Sequence, residues 1–124
     1  MLKNFLFVAL GGALGASLRY AAVLLGTCWG TSNQTATVLI NIIGSFLLGF
    51  LTAMTPSGSL MMFAAIGVCG SFTTFSTYSV HSVALLQDGR YGAAAVYIAG
   101  TVILCLISAW AGIIVGQRMN SLPA

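Results

Sequence analysis

The sequence predicts an all-α membrane protein, with four transmembrane helices per chain in a single domain over residues 1–124. Three observations carry that expectation. Hydrophobic residues make up 59% of the chain and charged residues only 4%, with a mean hydropathy of +1.04. The apolar residues fall in four stretches, each near the roughly 20 residues that cross a bilayer. Short segments rich in Gly, Pro, Ser and Asp separate them, and these are turn residues. A soluble domain carries about 25% charge, and a chain this small cannot solvate its surface without it. The same composition excludes a disordered polymer.

The first span covers about Leu2 to Leu25, with Lys3 marking its entry. Gly26–Asn33 follows, small and polar, with Trp29 suited to the membrane interface. The second span runs from about Gln34 to Met54 and ends at a Thr55-Pro56-Ser57-Gly58 turn, where Pro fixes φ and Gly permits positive φ. The third runs from about Leu60 to Leu86 and closes at Asp88-Gly89-Arg90. The fourth runs from about Ala93 to Gly116, with Arg118 beyond it. Short connections make neighbouring spans antiparallel. No cleavable signal peptide is expected, because the apolar run after Lys3 is too long for one.

The charges exclude nucleic-acid binding. Lys3, Arg19, Arg90 and Arg118 against Asp88 give a net +3 with no basic patch. Cys28, Cys69 and Cys105 match no zinc or disulfide spacing and are expected to be buried, inert thiols. His81 is the single histidine, with no cysteine or carboxylate partner in sequence, so catalysis has no support. It either meets water at a span end or lines a vestibule, where protonation would attract an anion.

Span three is unusual. Gly67 and Gly70 precede Ser71, Thr73, Thr74, Ser76, Thr77 and Ser79. Glycine weakens a helix and hydroxyls compete for its backbone bonds, so a break at Gly70–Thr74 is expected. Irregular backbone at membrane depth survives only within protein or around a polar cavity. Freed carbonyls there suit a cation, and the N–H groups opening the second half suit an anion. The alternative is a continuous helix whose hydroxyls bond its own carbonyls.

Two polar stripes accompany it. Asn33, Thr37, Asn41 and Ser45 share one face of span two, and Tyr97, Thr101, Cys105 and Ser108 share one face of span four. Asn41 lies mid-span, where an unpaired amide costs roughly 4–8 kcal/mol on a cyclohexane scale. It must face a partner helix or a wet path. On span one, Gly11 and Gly15 form a small-xxx-small pair for close helix approach. Arg19 either snorkels to the interface or anchors a polar vestibule. The lone acid, Asp88, sits in a turn, so an intramembrane carboxylate for proton-coupled export of organic cations is missing. A purely structural subunit of a larger complex is the remaining alternative.

Gly11-Gly12…Gly15-Ala16…Leu18-Arg19-Tyr20, then Asn41, then Gly67…Cys69-Gly70…Thr73-Thr74-Phe75-Ser76-Thr77 occur in that order. In these motifs, and over nearly its whole length, the sequence resembles the Fluc (CrcB) family of fluoride channels. The resemblance implies a passive fluoride-exporting channel in a bacterial inner (plasma) membrane. It implies an antiparallel dual-topology homodimer with two pores, each lined by both copies. Carried over by position, Asn41 is the pore amide with Thr37 beside it, and Phe75 and Tyr78 stand at two pore phenylalanine positions. Ser108 continues the polar track. Gly70 and Thr73 supply backbone carbonyls to a central structural sodium ion. Tyr78 departs from the pattern by adding a hydroxyl. His81 departs from it where relatives often carry Glu.

Orientation follows Lys and Arg near span ends. Lys3 and Arg118 lie on one side, Arg19 and Arg90 on the other, which leaves no bias. Tags on the wild-type C-terminus are therefore expected to label both membrane faces in cells. Labelling of one face alone would remove the dual-topology reading.

Overall fold

The structure, a computed structural model, describes residues 2–54 and 58–121. The expected turn at Thr55-Pro56-Ser57 lies outside the described residues. Among the described residues every regular element is helical: α1 (Leu2–Cys28), α2 (Asn33–Met54), α3 (Ser59–Met61), a wide π-type stretch (Met62–Cys69), α4 (Gly70–Phe72), α5 (Phe75–Gln87) and α6 (Tyr91–Asn120). Four runs are long and apolar enough to cross a membrane: Leu2–Cys28, Asn33–Met54, Ser59–Gln87 and Tyr91–Asn120. The chain is a multi-pass membrane protein. Each run extends slightly beyond its sequence estimate, because helical hydrogen bonds continue into the polar flanks.

The connections turn at glycine. Gly30 (φ 73°) and Gly89 (φ 70°) take left-handed conformations that a Cβ would disfavour. Trp29 is exposed beside the first turn, as an interfacial residue would be.

Helix pairing does not follow chain order. α1 lies mainly along the π-type stretch and α4, while α2 lies mainly along α6. Small residues set both seams. Cβ atoms on Gly11 and Gly15 would collide with the backbone carbonyls of Phe63 and Val68. On the second seam, Gly49 meets the Ala109 carbonyl and Gly112 meets the Phe46 carbonyl. In hydrocarbon no hydrophobic force drives helices together, so close backbone contact supplies the attraction. Outward faces remain apolar, with Leu6, Leu10 and Trp110 exposed.

Cys69 is buried as expected. The expectation is corrected for the other two cysteines. Cys28 is exposed because it ends α1, and Cys105 is half-buried because it borders a groove.

The seam makes a direct prediction. Gly112→Ala is expected to lower stability by about 1–3 kcal/mol through overpacking. Gly100→Ala, with open space around the added methyl, is expected to cause no loss. Thermal unfolding in detergent followed by circular dichroism compares the two.

Candidate functional site: a clasped turn and its groove

The third run changes character at two residues. Gly70 keeps helical dihedrals (φ −62°, ψ −33°), whereas Thr73 (φ −77°, ψ 158°) and Thr74 (φ −149°, ψ 110°) are extended. The departure thus falls on the two threonines and not on the glycine. Thr73 still closes α4, its amide and hydroxyl both donating to the Cys69 carbonyl at 3.1 Å. Thr74 caps α5: its Oγ1 accepts from the Thr77 amide at 3.2 Å.

Asn41 holds this segment. Its Oδ1 accepts from the Thr74 amide at 2.8 Å, and its Nδ2 donates to the Thr74 carbonyl at 3.1 Å. The amide donor of Thr74 dictates which way the side chain faces. Both residues are buried, Asn41 at 8% exposure and Thr74 at 7%. In a continuous helix the Thr74 N–H would bond the Gly70 carbonyl; here that carbonyl loses its helical partner. From the other side, Arg19 Nη1 donates to the Thr73 carbonyl at 3.4 Å. Arg19 therefore anchors the turn instead of snorkelling, and its charge complements the C-terminal end of the first half-helix. Gly44, one turn beyond Asn41, leaves room for the Thr73 methyl.

A groove of about 370 Å³ opens beside the clasp. Asn41, Ser45, Thr73, Thr74, Phe75, Tyr78, Thr101 and Cys105 contribute to it, and no carboxylate does. One Asn41 N–H is engaged with Thr74; an amide group has a second. Phe75 is 76% exposed. Aromatic rings continue from it: Phe75 to Tyr78 at 5.3 Å, Tyr78 to Tyr97 at 5.5 Å, and Tyr97 to His81 at 6.3 Å between centroids. Tyr78 Oη donates to the Ile98 carbonyl at 3.2 Å, which accounts for its hydroxyl. His81 is half-buried, with Nδ1 3.4 Å from Tyr97 Oη.

Two expected track residues stand apart. Thr37 is buried and bonds its own helix at the Asn33 carbonyl. Ser108 donates to the Ile42 carbonyl at 2.8 Å, tying α6 to α2 away from the groove lining. Thr101 and Cys105 border the groove on that face of α6 instead. Sequence reasoning did not single out Thr74. Its signal was its place before a helix start, as the hydroxyl residue of an N-cap.

Among the described residues no cluster of three His, Cys, Asp or Glu offers a metal site. The oxygens that suit a hard cation are the Gly70 and Thr73 backbone carbonyls. Carbonyl oxygens are the donor type a sodium ion takes, and Gly70 is exposed.

Asn41→Ala is expected to destabilise the protein by about 1–3 kcal/mol for each Thr74 backbone group left unpaired. Tyr78→Phe is expected to cost only about 1 kcal/mol, since the Ile98 carbonyl lies within a helix. Thermal unfolding reads both.

The model of the CrcB-like protein, Camphor Resistance (CrcB) family matches residues 6–113. The fluoride-specific ion channel FluC of Opitutus terrae is 38% identical over 95% of this chain and 96% of its own. Fluoride-specific ion channel FluC 1 of Listeria monocytogenes is 43% identical over 94% and 99% respectively. The Thermus thermophilus FluC is 40% identical over 95% and 98%. With a family match over most of its length and relatives near 40% identity, the chain belongs to the CrcB family.

Proposed function

We propose that this protein is a passive fluoride-selective channel, working as an antiparallel dual-topology homodimer with two pores in a bacterial inner membrane. It is a channel and not an enzyme. One observation carries the reading: a groove in which Asn41, Ser45, Phe75 and Tyr78 stand among apolar residues such as Leu48, Val102 and Leu106, without an acid. Fluoride is small and strongly hydrated, so a conducting path must replace water with donors while keeping each contact weak enough to release. The second N–H of Asn41 is one donor. The electropositive ring edge of Phe75 is another, and the amides opening α5 add positive potential. Cation export by proton coupling finds no intramembrane carboxylate.

The dimer supplies what one chain lacks. The groove is open on one side, and Phe75 and Leu106, which line it, are exposed. A second, inverted copy would cover them and would bring two more carbonyls to those of Gly70 and Thr73. Four such oxygens would hold sodium, which adds fixed positive charge near the path. The clasp keeps those carbonyls out of helical bonds, and Arg19 steadies the Thr73 oxygen.

Purified protein in liposomes is expected to release fluoride passively, without a proton gradient. In protein that still assembles, Asn41→Ala and Phe75→Ile are each expected to slow efflux at least about tenfold, equivalent to about 1.4 kcal/mol at the barrier. Absence of efflux from wild-type vesicles would overturn the fluoride assignment. Normal efflux in an assembled Asn41→Ala protein would remove that residue from the path.

A further inference from the structure

We propose that His81 is a positioning residue that acts through Tyr97, its protonation deciding whether the Tyr97 hydroxyl proton faces the anion path. The inference rests on the fluoride-channel reading and goes beyond it, because it assigns a task to a residue pair. His81 Nδ1 and Tyr97 Oη lie 3.4 Å apart, both residues half-buried between α5 and α6. The Tyr97 ring lies tilted against Tyr78, and Tyr78 against Phe75, so the pair sits at the end of the aromatic line that leads to the groove. Tyr97 and Thr101 also border a second, outer groove of about 550 Å³ that begins at Gln34 and Thr35. Thr101 borders both grooves, which makes them neighbours along α6.

The chemistry follows from counting protons. A tyrosine hydroxyl has one proton, and a neutral imidazole protonated at Nε2 has a bare Nδ1. In that state the Tyr97 hydroxyl donates its hydrogen bond to His81 Nδ1 and offers an anion only lone pairs. Protonation makes Nδ1 a donor. Tyr97 Oη then accepts from His81, and its own proton is free to turn toward the groove. A donor and a positive charge appear together at the path.

Competing groups are few. The helices packed against α5 are α2 and α6. α2 carries no titratable side chain, and α6 brings Tyr91, Tyr97, Cys105 and Arg118, of which Tyr97 is within hydrogen-bond reach of the imidazole. On its own helix the titratable neighbour is Tyr78, whose hydroxyl is committed to Ile98. Asp88 and Arg90 lie beyond the end of α5, in the following turn.

Because His81 is the single histidine, histidine labelled with nitrogen-15 reports on it alone. Solid-state NMR of the protein in bilayers is expected to show a bare Nδ1 at high pH, and Tyr97→Phe is expected to shift the tautomer balance. A tautomer unaffected by Tyr97→Phe would overturn the proposal whether or not the protein conducts. In liposomes, wild-type efflux is expected to rise about fivefold between a pH at which the nitrogen-15 spectrum shows neutral His81 and one at which it shows the imidazolium, the scale of one hydrogen bond exchanged. His81→Gln, Tyr97→Phe and the double variant are all expected to lose that rise. A rise that persists in Tyr97→Phe would show that charge alone acts, and would also overturn the proposal. Failure of wild-type efflux at every pH would instead count against the fluoride reading, leaving the NMR result to decide the pairing.

Discussion

The two hydrogen bonds between the Asn41 side chain and the Thr74 backbone are the constraint on which the rest of the site depends. At membrane depth no water satisfies an N–H or C=O that leaves its helix. Thr73 and Thr74 leave theirs. Thr74 is tolerated because a buried amide from α2 matches its donor and its acceptor at once. Thr73 is tolerated because Arg19 reaches its carbonyl from α1. Three helices thus meet at two residues. The Gly70 carbonyl, the free amides opening α5 and the position of Phe75 all follow from that meeting.

The clasp in turn depends on how closely the helices approach. Gly11 and Gly15 bring α1 against the π-type stretch, placing Arg19 beside the turn one helical turn further along. Gly44 admits the Thr73 methyl, and Gly49 and Gly112 draw α6 onto α2. Side chains at these positions would separate the backbones and lengthen the Asn41 and Arg19 contacts. The glycine seams and the polar site are one mechanical unit.

Hydroxyl groups divide between the protein's own needs and the groove. Ser79, Ser82 and Thr101 bond carbonyls one turn back, and Ser108 crosses to Ile42. Such bonds let polar side chains live in an apolar phase. Donors left in the groove are correspondingly scarce, which gives weight to the second N–H of Asn41.

Composition by itself determined the membrane class and the four spans, because burying polar groups in hydrocarbon is so costly that apolar runs have few alternatives. Spacing also marked Gly11 and Gly15 as a close-contact pair, and marked Asn41 as a mid-span amide in need of a partner. The sequence motifs made the family recognisable. What local pattern could not decide was which partner each group would find. The break was expected over Gly70–Thr74 from weak glycines and competing hydroxyls; within that range Gly70 stays helical and the threonines turn, because Asn41 supplies bonds to Thr74 and none to Gly70. Thr37 and Ser108 share stripes with groove residues and still face elsewhere. A periodicity gives the face of a helix, while the neighbour on that face comes from pairings between α1 and the third span and between α2 and α6. Those pairings join residues far apart in the chain, and only the tertiary structure decided them.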